Sequence, residues 1–179
     1  MKILIIEDGS EKIKDLQVTL KDKNHIFQIV ETEKEAKEKL QKNKFDMILL
    51  DMELPCSNRN ALNMNKFSGI TIMNSMKCYN IETPVLLITQ YVNFVDMETK
   101  SEETEQNLFT NIKKENNIKN CNMNLYGIKF LEQLHDFMSD RYPNYIGAIH
   151  YSNISNKWKS DLMYFIDKIG GNNNEGTGA

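Results

Sequence analysis

Hydrophobic residues cluster in five short runs along the chain, separated by segments in which charged and polar residues dominate. The runs occupy residues 3–6, 26–30, 45–50, 84–88 and 145–151. Most of them are continuous rather than alternating, and continuous apolar runs of this length are typical of strands that are covered on both faces. We therefore predict five buried β-strands.

The segments between these runs carry apolar residues at helical spacing. Ile13, Leu16 and Leu20 predict a first helix that ends near residue 22, with its Lys and Asp residues on the solvent-exposed face. Thr32 and Glu35 have the spacing of a capping box, which predicts the start of a second helix.

Three further helices are predicted from the same spacing. The third begins near Ser68 and Gly69 and precedes the fourth strand. The fourth and fifth have apolar stripes made of Ile128, Leu131, Leu134 and Met138, and of Trp158, Leu162, Phe165, Ile166 and Ile169. The fifth is expected to stop at the glycine pair that begins at Gly170, because glycine favours helix ends.

Strands and helices in this alternation predict an α/β protein with a doubly wound, five-stranded parallel sheet and helices on both faces. We assign residues 1–169 to one such domain. Two polar stretches, at about 56–67 and 92–125, interrupt the alternation and are interpreted as insertions. Residues 170–179, with the sequence GGNNNEGTGA, predict a flexible tail.

Charge and composition argue against nucleic acid and membranes as partners of this protein. The formal net charge of -3 gives no excess of Lys and Arg for binding nucleic acid. The apolar run at the N-terminus is too short for a membrane span or a signal peptide. The three cysteines have no metal-binding spacing, so we expect reduced thiols in a cytoplasmic protein with no nucleic-acid or membrane partner.

Polar side chains follow three of the predicted strands. Glu7 and Asp8 follow the first strand, Asp51 the third and Thr89 the fourth. The carboxyl ends of parallel strands meet at one edge of a sheet, so these side chains are expected to lie together. With no basic residue expected nearby, the three carboxylates predict a Mg²⁺ site, because Mg²⁺ prefers oxygen ligands and leaves coordination free for a phosphate.

The motifs EDG at residues 7–9, ILLDMELP at residues 48–55 and LLIT at residues 86–89 resemble the receiver domain of bacterial two-component response regulators. The resemblance implies a flavodoxin-like, CheY-like fold. It also implies that Glu7 and Asp8 hold Mg²⁺, that Asp51 is the phosphoacceptor, that Glu53 adds its backbone carbonyl to the metal, and that Thr89 bonds a phosphoryl oxygen as the switch hydroxyl.

The chain departs from the receiver pattern at several positions. The family's lysine at the end of the fifth strand has no counterpart, and His150 or Tyr151 falls in its place. The family's glycine after the third strand is displaced to Gly69, and the bulkier Gln90 follows the switch hydroxyl. Without the lysine, the phosphorylated state is expected to be less stabilised than in other receivers.

The resemblance implies a non-enzymatic switch in phosphorelay signalling, phosphorylated by a histidine kinase or phosphotransfer protein and acting on an unknown downstream protein. The alternative is a pseudo-receiver, an interaction module that signals without phosphorylation; the end of the chain resembles atypical receivers from bacterial defence-type loci. A nucleotide-binding enzyme on a similar sheet is disfavoured, because the sequence has no glycine-rich phosphate loop.

Overall fold

A computed structural model of the protein describes residues 1–21, 25–57, 64–65, 67–90 and 128–172. Within these residues it contains seven strands and five helices. The strands are β1 (Lys2–Ile6), β2 (Ile26–Val30), β3 (Met47–Leu50), β4 (Leu54–Pro55), β5 (Met64–Asn65), β6 (Val85–Thr89) and β7 (Tyr145–His150). The helices are α1 (Ser10–Leu20), α2 (Glu33–Lys42), α3 (Ser68–Cys78), α4 (Ile128–Arg141) and α5 (Lys157–Asn172).

Five of the strands form one parallel sheet in the order β2-β1-β3-β6-β7. The order reverses beside β1, since the chain moves from β1 outward to β2 and then crosses back to β3. This is the doubly wound arrangement predicted from the alternating pattern. A crevice at such a reversal, at the carboxyl ends of the strands, is where open α/β sheets place their sites.

Helices cover both faces of the sheet. On one face, α1 and α5 contribute Leu16, Leu20, Trp158, Leu162 and Ile166 to a core cluster that also contains alternate residues of four strands. Leu4, Ile48 and Leu50, which alternate with these residues, point to the opposite face and are fully buried. Right-handed crossovers place α2 and α3 on that second face, where the two helices contact each other.

The ends of the helices agree only in part with the sequence pattern. The capping box is confirmed, because Thr32 Oγ1 accepts a hydrogen bond of 3.2 Å from the Glu35 amide. The fifth helix does not stop at Gly170 but continues to Asn172. None of the described helices is long and apolar enough to cross a membrane.

The two predicted insertions lie largely outside the described residues. β4, which comes just before the first insertion, forms an antiparallel pair with β5 inside it, and Leu54 is opposite Asn65. The segment 92–125 and residues 173–179 of the predicted tail lie entirely outside them.

The chain divides into two compact units, Met1–Thr89 with Tyr142–Ala179, and Gln90–Arg141. The first unit contains the five-stranded sheet, and the described part of the second is Gln90 and α4. The prediction of one domain over residues 1–169 stays a prediction.

Candidate functional site

Three carboxylates predicted from separate motifs meet at the carboxyl edge of the sheet. Glu7, Asp8 and Asp51 each offer one oxygen, and these oxygens lie within 4.8 Å of one another. The pairing of β1 with β3 brings them together, because Ile6 is opposite Leu50 and the Asp51 amide donates a 2.9 Å hydrogen bond to the Ile6 carbonyl.

Burial makes these carboxylates harder to ionise. The side chain of Glu7 is 5% exposed and that of Asp51 is 13% exposed. Burial raises the pKa of Glu7 from its ordinary value of 4.5 to about 7, although the ammonium of Lys12 acts in the opposite direction. Burial also raises the pKa values of Asp8 and Asp51, and at Asp8 the charge of Asp51 adds to the effect.

The expectation that no basic residue lies near the carboxylates is wrong. Lys12 Nζ lies 2.5 Å from Glu7 Oε2 and 3.0 Å from Asp51 Oδ1, and its side chain is 4% exposed. It also donates a hydrogen bond of 2.6 Å to the carbonyl oxygen of Ile88, at the end of β6. An ammonium group has three protons, so Lys12 has an acceptor for each of them.

Lys12 was missed because a lysine in a mainly polar helix normally faces solvent. The periodicity nevertheless contains a signal, since Lys12 precedes Leu16 and Leu20 at steps of four residues. These three residues form the buried face of α1, whereas Ile13, which the sequence pattern favoured, is only half-buried. A lysine in line with an apolar stripe, close to the start of a helix that follows two acidic residues, could have suggested an internal ion pair.

Tyr151 directly follows β7 and is one of the two residues predicted at the place of the lysine. Tyr151 is 2% exposed, and its hydroxyl donates a hydrogen bond of 2.9 Å to Asp15 Oδ2 on α1. Its ring centroid lies 5.8 Å from Lys12 Nζ and 5.0 Å from the ring of Trp158. His150, the other candidate for this place, is half-buried and is opposite Thr89 in the strand register.

Thr89 lies at the same edge as the carboxylates. Leu50 of β3 is opposite Leu87 of β6. Asp51 follows Leu50, and Thr89 comes two residues after Leu87, so both lie at the carboxyl ends of these neighbouring strands. Thr89 is fully buried, and its carbonyl oxygen accepts a 2.9 Å hydrogen bond from the Tyr151 amide. The roles predicted for the Thr89 hydroxyl and for the backbone carbonyl of Glu53 stay predictions.

Gly69 contacts the segment that carries Asp51, although it lies further along the sequence than the glycine of the receiver pattern. Its amide donates a 3.2 Å hydrogen bond to the carbonyl of Met52. A Cβ atom at this position would lie 2.7 Å from Met52 Sδ and 3.1 Å from the carbonyl oxygen of Asp51. The start of α3 therefore packs so closely against the Asp51 segment that a Cβ atom at residue 69 would require its neighbours to shift.

Comparison with known proteins gives one similar curated sequence and several similar structures. No protein-family model matches the chain. The hybrid signal transduction histidine kinase B of Dictyostelium discoideum is 32% identical over 84 residues, which cover 46% of this chain. The match corresponds to only 4% of the length of that kinase.

Solved structures match along almost the whole chain. The receiver domain of the Francisella response regulator 1452 superposes with a TM-score of 0.51 at 15% identity, covering 94% of each chain. A CheY-like response regulator receiver domain from Methanospirillum hungatei gives a TM-score of 0.52 at 16% identity, covering 98% of each chain. The chain has the CheY-like receiver fold. Identities this low establish the fold alone.

The donor set of the acidic cluster fits Mg²⁺. Glu7, Asp8 and Asp51 offer only carboxylate oxygens, the hard ligands that this ion prefers. Glu7 and Asp51 both form ion pairs with Lys12. Their oxygens can still bind a metal ion, because a carboxylate oxygen that accepts one hydrogen bond keeps a second lone pair. Three carboxylates and one ammonium still leave two negative charges for a divalent ion to balance.

Proposed function

We propose that this protein is a response-regulator receiver that accepts a phosphoryl group on Asp51, with Mg²⁺ held by Glu7, Asp8 and Asp51. The observation that carries the proposal is the meeting of these three carboxylates within 4.8 Å at the carboxyl edge of a receiver-type sheet. The side chain of Asp51 is 13% exposed and that of Glu7 is 5% exposed, so Asp51 is the more accessible of these two carboxylates.

The donor would be a phosphohistidine on a partner histidine kinase or phosphotransfer protein. A carboxylate oxygen of Asp51 attacks phosphorus and the phosphorus–nitrogen bond breaks. The imidazole nitrogen keeps the electron pair and takes up a proton, and an acyl phosphate forms on Asp51. Mg²⁺ would supply positive charge to the phosphoryl oxygens during this transfer.

The remaining chemistry belongs to groups around Asp51. In this proposal the Thr89 hydroxyl donates a hydrogen bond to a phosphoryl oxygen, and the backbone carbonyl of Glu53 adds an oxygen ligand to the metal. The new charge of roughly -1.5 to -2 at neutral pH is the signal that a downstream protein reads. The chain then acts as a switch in a phosphorelay and not as an enzyme with a released product.

The test is phosphorylation of the purified chain by a small acyl phosphate, followed by intact-protein mass spectrometry. We expect a single phosphoryl adduct that requires Mg²⁺, disappears on chelation of the metal, and is absent from Asp51→Asn. Asp46→Asn is the matched control, since Asp46 is an exposed carboxylate just before β3 and its side-chain oxygen remains an acceptor for the Lys2 amide after substitution.

An adduct that persists in Asp51→Asn would refute Asp51 as the phosphoacceptor. A folded parent protein that takes up no phosphoryl group, with metal and donor both present, would replace this proposal with the phosphorylation-independent pseudo-receiver. Binding of a beryllofluoride mimic provides an independent measurement, because it does not depend on the rate of phosphoryl transfer.

A further inference from the structure

We infer that Lys12 is the phosphoryl-binding cation of this receiver, and that it reaches the acyl phosphate from α1 instead of from the end of a strand. The inference rests on the proposed phosphorylation of Asp51. It concerns a residue that follows the first strand, where the receiver motifs place only the acidic pair.

The position of Lys12 satisfies the geometric requirement for this role. Its Nζ lies 3.0 Å from Asp51 Oδ1, so it already touches the carboxylate that would carry the phosphoryl group. Its third contact, the 2.6 Å hydrogen bond to the carbonyl of Ile88, holds the ammonium beside the residue that precedes Thr89. The ammonium thus contacts the side chain that follows β3 and the backbone near the end of β6, and it is adjacent to the oxygen atoms of Asp51.

Directly after β7 the chain has the buried ring of Tyr151 and not a lysine. The buried ring of Tyr151 lies beside Lys12, and its hydroxyl is bonded to Asp15, one turn further along α1. This bond joins α1 to the end of β7. The tyrosine therefore helps to position the helix that carries the lysine.

The three contacts of Lys12 also predict how it would change partners. Each of its protons is already engaged, so a phosphoryl oxygen can be accommodated only when one present acceptor is released. Glu7 is the acceptor to be released, because Asp51 carries the phosphoryl group and the Ile88 carbonyl is fixed in the sheet. Lys12 would then exchange the Glu7 carboxylate for a phosphoryl oxygen, and Glu7 would be free for the metal.

If Lys12 exchanges acceptors in this way, removing its charge should change the affinity for the metal and the affinity for the phosphoryl group in opposite directions. The ammonium competes with Mg²⁺ for Glu7 and Asp51, so Lys12→Met should bind Mg²⁺ more tightly than the parent protein. The same variant loses a charged donor to the phosphoryl group, so it should bind beryllofluoride about 10- to 100-fold more weakly at saturating Mg²⁺. A lysine that only stabilised the fold would not separate the two affinities in opposite directions.

Both affinities can be measured on the full chain by titration calorimetry and by the fluorescence of Trp158, the single tryptophan, which contacts Tyr151 beside Lys12. Lys14→Met is the matched control, since Lys14 lies on the exposed face of the same helix and should leave both affinities unchanged. If Lys12→Met does not fold, Lys12→Gln makes the same comparison, because it removes the charge and keeps a hydrogen-bond donor.

The inference would be overturned if Lys12→Met and Lys12→Gln bound beryllofluoride as tightly as the parent protein. It would also be overturned if these variants lost affinity for both the metal and beryllofluoride. Either result leaves the phosphorylation of Asp51 standing if the parent protein is labelled. A parent protein that neither takes up a phosphoryl group nor binds beryllofluoride would contradict the proposed function itself. The role inferred for Lys12 would then be contradicted as well.

Discussion

The raised pKa of Glu7 predicts that the metal-free protein loses stability as the pH rises. In the folded protein the pKa is about 7, against an ordinary value of 4.5, so the folded state holds the Glu7 proton more tightly than the unfolded chain does. The contribution of this group is complete below about pH 4.5 and is lost as the pH passes through about 7. Each pKa unit corresponds to about 1.4 kcal/mol, so the whole shift corresponds to roughly 3 kcal/mol.

The cleanest measurement is a comparison of the parent with Glu7→Gln, since glutamine resembles the protonated acid and does not titrate. Urea unfolding in the presence of a chelator, monitored by Trp158 fluorescence, gives the free energy of unfolding at each pH. We expect the two proteins to have similar stability near pH 4.5, and the variant to gain on the parent by up to about 3 kcal/mol by about pH 8. Subtracting the two curves removes the titration of groups that do not interact with Glu7.

This comparison decides between two opposing effects on one side chain. Burial favours protonated Glu7, whereas the ion pair with Lys12 at 2.5 Å favours the carboxylate. A parent protein that becomes more stable than Glu7→Gln as the pH rises would show that the ion pair outweighs burial. The reasoning about Glu7 would then be refuted, because its pKa would be lowered and not raised.

Three further substitutions test the surroundings of the site. Asp8→Asn should weaken Mg²⁺ binding at least about tenfold while the fold stays intact or becomes more stable, because one of the repelling carboxylates is removed; calorimetric titration and urea unfolding measure both effects. Tyr151→Phe should lower the free energy of unfolding by about 1 kcal/mol through loss of the hydrogen bond to Asp15, and equal midpoints in urea would contradict this. Gly69→Ala should cost about 1–3 kcal/mol, because the new methyl group would approach Met52 Sδ to 2.7 Å; a variant as stable as the parent would show that this contact relaxes freely.

The sheet could be predicted from sequence because each strand is specified by its own residues. A run such as MILL in β3 must be buried on both faces, and burial of successive runs between helices leaves few arrangements other than a parallel sheet. The carboxylates followed from the same logic. Once Glu7 and Asp51 are placed at the ends of adjacent parallel strands, the geometry of the sheet brings them together.

The burial of Lys12 could not be predicted from the sequence, because it depends on contacts between distant parts of the chain. Its acceptor at Ile88 is 76 residues away in sequence, and only the packing of α1 against the sheet brings the two together. Lysines on a charged helix are normally solvated, and the stripe of Leu16 and Leu20 is compatible with either Lys12 or Ile13 as its first member. Burial of Lys12 requires acceptors for all of its protons, which the sequence pattern alone does not reveal.

The charge balance around Lys12 connects the pH dependence of stability to the metal. Three carboxylates against one ammonium leave the cluster with two uncompensated negative charges when every group is ionised. The metal-free protein can reduce this excess by keeping a proton on Glu7, and the metal-bound protein can do so with a divalent cation. Proton and metal therefore compete for the same carboxylates, so the affinity for Mg²⁺ should fall as the pH is lowered through about 7. Lys12 contributes the positive charge of this cluster, and it contacts both Glu7 and Asp51, which is why its substitution should affect metal and phosphoryl binding in opposite directions.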